Sequence, residues 1–266
     1  TVKFSYTVNG NINENVTVAN QTGDNWTISI LVPVDCASFE YFFWADDAAG
    51  NEKRTGKTSP GVTDNNRPVI GVIWNGGVTT GDNTLFSANI TDNIGLNSVR
   101  FAYTVNGIIN ENVTVSNQSG DDWTITIRIP TDCVSFQYFF WSDDAAGNER
   151  RSATQTPGVA DNDKPVIGVI WNGGMTTGEQ SLFSANITDN VGVSLVKFVY
   201  TVNGNINENV TVSNQSGNDW TVTIRIPSYC VNFEFFFWAN DGAGNERRSA
   251  VQTPAVADND RPAIGS

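Results

Sequence analysis

Apolar and polar positions alternate along most of this chain, and the alternation stops repeatedly at Gly, Asn, Asp and Pro. Its strongest instance runs through residues 135–149. Val134, Phe136, Tyr138 and Phe140 fall on one face of an extended segment, the period of a strand with one buried side. Phe139 and Trp141 make the other face aromatic as well. The pattern predicts a central strand, covered on both sides near its end. Asp143 and Asp144 then end it, because carboxylates are not buried unpaired. Gly147 tolerates a positive φ and lets the chain reverse. The same stretch recurs at 38–52 and 232–246, so that Trp44, Trp141 and Trp238 stand 97 residues apart.

Within one period, the second, the pattern predicts seven strands. The first covers 68–74, after a Pro that excludes helix. The second covers 84–91, with Phe86, Ala88 and Ile90 on its inner face. Val99, Phe101, Tyr103 and Val105 mark the third, and Asn106-Gly107 a hairpin connection. Val113 and Val115 mark a short fourth. Trp123, Ile125, Ile127 and Ile129 mark the fifth, stopped by Pro130. The aromatic strand is sixth, and polar residues 149–156 form a seventh at an edge. Short strands, frequent turns and no helical period predict an all-β chain of tandem sandwiches.

A period of 97 residues is long enough for each unit to bury its own core, which excludes a solenoid. The expected domains are a partial one at 1–66 that begins at its third strand, complete ones at 67–163 and 164–260, and the start of a further first strand at 261–266. Residue 1 falls in mid-repeat, so these residues read as a window on a longer array, and a neighbouring chain completing the first unit is the lesser alternative.

Composition narrows the chemistry. The net charge of -13 argues against nucleic acid and anionic membrane surfaces. There is no His, which removes the usual general base and the commonest transition-metal ligand. Cys36, Cys133 and Cys230 fall once per repeat, so no disulfide within a domain is available, and each reads as a small core residue. No apolar run is long enough to span a membrane, and no signal peptide begins the chain.

Four strings carry a family resemblance: Ile-Thr-Asp-Asn-x-Gly from Ile90, Val-x-Phe-x-Tyr-Thr-Val-Asn-Gly from Val99, Trp-Thr-x-x-Ile-x-Ile-Pro from Trp123, and Phe-Phe-Trp-x-x-Asp-x-Ala-Gly-Asn from Phe139. Together they resemble immunoglobulin-like repeats of prokaryotic, above all archaeal, surface-layer and surface-fibre proteins. The inter-unit strings 64–68 and 161–165 are similar to the calcium linkers of cadherin-type repeats. The chain departs from antibody-type domains in lacking their paired Cys, and it lacks the full set of cadherin acidic motifs.

In a sandwich of this type the entering linker and the loops after the second and sixth strands lie at one end. That arrangement would gather Asp64, Asn66, Asp92, Asp143 and Asp144 at one junction, and Asp161, Asp163, Asp189, Asn240 and Asp241 at the next. Oxygen donors without His or Cys suit Ca²⁺, with Mg²⁺ second. The plainer reading is that Asp and Asn are ordinary turn residues bonding their own backbone. Nine Asn-x-Ser/Thr sequons stand at Asn15, Asn20, Asn25, Asn89, Asn112, Asn117, Asn186, Asn209 and Asn214. The copies are not independent, so placement carries more than number. Asn89 and Asn112 alternate with apolar neighbours and are expected to face solvent.

No nucleophile has a His partner, and no phosphate-cradling Gly motif precedes a helix. Asp143 and Asp144 share one loop and cannot flank a sugar as glycoside hydrolysis requires. The expectation is a non-enzymatic structural repeat region of an exported cell-surface protein, partnered by copies of itself and by N-linked glycans, with calcium-stiffened junctions. An adhesin stalk or a carbohydrate- or protein-binding module is the alternative, with an enzyme's accessory region behind it. Trp74, Trp171 and Trp141 would be its stacking residues, although packing at sandwich ends or domain junctions is the expected role for them.

Overall fold

A computed structural model describes residues 1–259, apart from the side chains of 14–15, 20–22, 110–112, 117–118, 206–209 and 214–215. The expected strand start at 261–266 lies outside the described residues, as does residue 260. The first unit contains β1 (Val2–Val8), β2 (Asn11–Thr17), β3 (Ala19–Thr22), β4 (Asn25–Thr27), β5 (Phe39–Asp46) and β6 (Glu52–Arg54). The second contains β7 (Val69–Asn75), β8 (Val78–Thr79), β9 (Asn83–Thr91), β10 (Leu96–Val105), β11 (Ile108–Thr114), β12 (Ser116–Ser119), β13 (Asp122–Arg128), β14 (Phe136–Asp144), β15 (Glu149–Arg151) and β16 (Val159–Ala160). The third contains β17 (Val166–Asn172), β18 (Gln180–Thr188), β19 (Val193–Val202), β20 (Asn205–Thr211), β21 (Ser213–Ser216), β22 (Asp219–Arg225), β23 (Phe233–Asp241) and β24 (Glu246–Arg248).

The second unit folds as two antiparallel four-stranded sheets, β12-β13-β9-β7 and β11-β10-β14-β15. The third repeats them as β21-β22-β18-β17 and β20-β19-β23-β24. A short parallel pair, β8 with β16, ties the start of the second unit to its end. The described chain is all-β, a tandem array of immunoglobulin-like sandwiches.

Strand alternation fills the core. Phe86 on β9 meets Phe101, Phe136 and Tyr138 of the opposite sheet, with ring centroids 4.9, 5.4 and 4.8 Å away. Those three rings pack because the β10–β14 register sets Phe101 opposite Phe140, Tyr103 opposite Tyr138 and Val105 opposite Phe136. Complete burial of one such side chain contributes about 1.5–3 kcal/mol.

The β10–β11 hairpin turns on Asn106 and Gly107, at φ 51° and 81°. The Asn106 amide holds more than its turn. Its Oδ1 accepts the N–H groups of Val134 and Ser135 at 2.8 and 3.1 Å, and its Nδ2 donates to the Asp132 carbonyl at 2.8 Å. These bonds fix residues 132–135 as a loop. The aromatic strand therefore starts at Phe136, and Val134, expected on its inner face, stands in solvent instead. The three cysteines are free and buried.

The expected fourth strand is two. Val115 is buried between β11 and β12, and the chain crosses there from one sheet to the other. Trp74 and Trp171 do not pack at sandwich ends. Each lies on the outer face of an edge strand and is 52 % exposed. In the first unit, the described residues form one four-stranded sheet, β2-β1-β5-β6, and a short β3–β4 ladder. Nothing equivalent to β9 pairs with β4, so the segment after Thr27 is not strand and Leu31 is 93 % exposed. Phe39, Tyr41 and Phe43 are only half-buried, whereas Phe136, Tyr138 and Phe140 are fully buried.

Candidate cation site at the domain junctions

Three carboxylates meet where one unit hands over to the next. Asp64 comes from the linker, Asp92 from the loop after β9 and Asp144 from the end of β14, each offering an oxygen within 4.8 Å of the others. Asp161, Asp189 and Asp241 repeat the trio at the second junction.

Each aspartate first makes a turn. Asp92 Oδ1 accepts the N–H groups of Ile94 and Gly95, both at 3.0 Å. Asp144 Oδ1 accepts those of Ala146 and Asn148, both at 2.8 Å, and its Oδ2 accepts Asn148 Nδ2 at 2.7 Å. Asp64 Oδ1 accepts the Asn66 N–H at 3.0 Å and Asn93 Nδ2 at 3.2 Å. The turn reading therefore accounts for both oxygens of Asp144 but for only one each of Asp64 and Asp92. It leaves Oδ2 of Asp64 and Asp92, and likewise of Asp161 and Asp189, buried without a hydrogen-bond partner. An orphaned, buried carboxylate oxygen is costly, and two beside a third carboxylate repel one another. A hard cation among oxygen donors relieves both penalties, and the donor set fits Ca²⁺ or Mg²⁺.

The junction also joins the two units directly. Asn93 Nδ2 donates to the Val34 carbonyl at 2.6 Å, and Asn148 Nδ2 to the Asp64 carbonyl at 3.1 Å. At the second junction Asn190 reaches Thr131 at 2.7 Å and Asn245 reaches Asp161 at 3.0 Å. Asp161 Oδ1 accepts the Thr80 hydroxyl of the preceding unit at 3.0 Å and Asn190 Nδ2 of the following one at 3.1 Å. Asn93, Asn190, Asn148, Asn245 and Thr80 were not singled out in the sequence. The signal for the four Asn was the recurrence of Asp-Asn-x-Gly and Ala-Gly-Asn in phase, and for Thr80 that of Thr-Thr-Gly at 79–81 and 176–178.

Four of the expected donors stand outside the trios. Neighbours on a strand point to opposite faces, so Asp143 and Asp144 cannot both turn inward. Asp143 accepts bonds from Ser98 Oγ and, at 3.0 Å, from Asn97 Nδ2. Asn240 takes the same outward place beside Asp241, with Oδ1 buried and unpaired. Asn66 and Asp163 donate backbone N–H groups to Asp64 and Asp161, at 3.0 and 3.1 Å.

Burial, the largest single influence on Asp144 and Asp241, pushes their carboxyls up. Bonds from the Asn148 or Asn245 side chain and from three backbone N–H groups outweigh it, and both acids stay below the ordinary Asp value. Asp143 is also held low, because the Ser98 and Asn97 bonds and the Arg100 charge overcome its burial.

Among the sequons, Asn25, Asn89 and Asn186 are exposed. The side chains of Asn15, Asn20, Asn112, Asn117, Asn209 and Asn214 lie outside the described residues. No helix among the described residues is long and apolar enough to cross a membrane.

No family model matches the chain, and no curated protein matches it. Solved structures do. Titin A168–A169 is 12 % identical, with 73 % of this chain and 99 % of that one covered and a TM-score of 0.42. Extracellular domains 3–5 of Drosophila OTK are 10 % identical, with coverage of 97 % and 86 % and a TM-score of 0.36. The Yersinia pseudotuberculosis adhesin InvE is 14 % identical, with coverage of 68 % and 58 % and a TM-score of 0.35. At these values the likenesses add nothing to what the strand order shows.

Proposed function

We propose that this chain is a structural repeat region of a prokaryotic cell-surface protein, non-enzymatic and extracellular, whose junctions are stiffened by a bound divalent cation, Ca²⁺ in the first instance. The observation that carries the reading is the pair of buried, unpartnered Oδ2 atoms beside a third carboxylate, repeated at both junctions. Asp64, Asp92 and Asp144 would hold one ion and Asp161, Asp189 and Asp241 the other. Each trio draws one ligand from the linker and two from the following sandwich, so an ion there opposes bending. Glycans on exposed sequons such as Asn25, Asn89 and Asn186 would keep the array soluble, and copies of the chain would assemble into a layer, sheath or fibre.

The test is small-angle scattering and thermal unfolding of one sample, in millimolar calcium and then in chelator. A straighter particle and a higher melting temperature in calcium support the reading; identical profiles overturn it. The second reading, a carbohydrate-binding stalk, is favoured by Trp74 and Trp171, half-exposed at matching places in the two complete units. Saturable binding to a glycan array, lost in Trp74→Ala, would select it. Intact mass of native material reads the sequons directly.

A further inference from the structure

The outer face of the β11-β10-β14-β15 sheet carries a groove that returns in every unit. In the second unit it measures about 250 Å³ and is lined by Ala102, Thr104, Ile109, Gln137, Phe139 and Arg151. The Arg151 guanidinium lies 3.6 Å above the Phe139 ring, and Arg248 lies 3.7 Å above Phe236 in the third unit. Beside the groove, strand register sets Arg100, Trp141 and Arg151 in a row across three strands. A guanidinium stacked on a ring keeps its in-plane N–H edges for a planar acceptor, which suits a carboxylate. Arg151 uses one N–H on Thr154 Oγ1, at 3.3 Å.

The three grooves differ in one respect. In the first unit Glu40 lines the groove and pairs with Lys57 at 3.5 Å. The matching residue is Glu234 in the third unit and Gln137 in the second. The second groove thus has a lining cation and no lining acid. Ile109, at its wall, is 61 % exposed. Such a lining suits a carboxylate delivered on a partly apolar surface.

The charge balance of the chain indicates who delivers it. Of 15 Lys and Arg in a chain of net charge -13, Lys3, Arg54, Arg100, Arg151, Lys197 and Arg248 stack on aromatic rings of this one face, leaving the remaining surface more acidic still. We propose that the Arg151 groove is a contact between copies of this chain, in which a second copy places a surface carboxylate against Arg151. Groove and carboxylate are different surfaces, so the contact is heterologous and extends instead of closing. The inference rests on the self-assembly reading above and names its contact.

Sedimentation equilibrium of the full chain, from micromolar to millimolar, tests it with Arg151→Glu and Gln137→Glu. The second variant installs the acid that the other two units carry, so the sandwich accommodates it. Both are expected to weaken association by about tenfold or more, and Gln137→Glu, which leaves the Arg151 stack on Phe139 in place, to do so with the melting temperature unchanged. Association equally strong in wild type and both variants overturns this contact and leaves self-assembly standing on another surface. A wild type that stays single overturns the contact and the self-assembly reading together. Arg151-dependent binding to a polyuronate without self-association overturns it in favour of an external polyanion.

Discussion

Asp92 bonds its own turn through one carboxylate oxygen and keeps the other buried and unpartnered, in a cluster with Asp64 and Asp144. That division makes Asp92→Asn informative. The amide oxygen can still accept the Ile94 and Gly95 N–H groups, so the loop survives, while one charge of the trio disappears. Without divalent ions the variant should unfold no earlier than wild type, because a repulsion is removed. With calcium it should lose most of the stabilisation gained at the second unit, which is about 2.7 kcal/mol when free calcium is a hundred times the dissociation constant. Calorimetry with and without chelator measures both. Asn106 offers a test free of any ion. Asn106→Ala removes three hydrogen bonds and places Ala at positive φ, with an expected loss of about 2–4 kcal/mol in urea unfolding. The Asn106-Gly107 turn itself was legible from the dipeptide. The reach of its side chain to Val134 was not, because that bond joins residues 28 apart.

Element by element, the sequence signalled strands well where one face is buried, as in β9 and β14, whose alternation survives in the burial pattern. It failed where tertiary contacts override the period. Val134 continues the apolar alternation but is drawn into a loop, and Val115 belongs to a crossing between sheets. The missing β9 counterpart in the first unit yields a quantitative expectation. Phe140 and Phe43 hold matching places, but only Phe140 has a second sheet above it. Phe140→Ala should cost about 3–5 kcal/mol, the range for a fully buried Phe. Phe43→Ala should cost about half as much, since its ring already meets water. Hydrogen exchange resolves the units separately, and the β1–β5 amides should exchange before those of β10 and β14.

For the whole molecule, the convergence of linker and two loops followed from sandwich topology, whereas the identity of the inward-facing acid did not. Two adjacent acids, Asp143 and Asp144, look equivalent in a sequence, and only strand register decides between them. The same acids set the response to pH. Asp143, Asp144 and Asp241 sit below the ordinary Asp value in the folded chain. A lowered carboxyl contributes stability that is fully present above the unfolded value of about 3.9 and is lost as pH falls through the folded value. Cation binding needs Asp144 and Asp241 ionised, but not Asp143, and is lost over the same descent. Nothing intervenes at higher pH, for the chain has no His to titrate between about 5 and 8. Buried Cys133 and Cys230 have thiols pushed up, away from that window. The calcium-dependent rise in melting temperature should therefore be present at neutral pH and be lost in acid, as pH falls through the lowered folded values of Asp144 and Asp241. A calcium-dependent rise that persisted undiminished in strong acid, where carboxylates are protonated, would place the ion elsewhere on the chain.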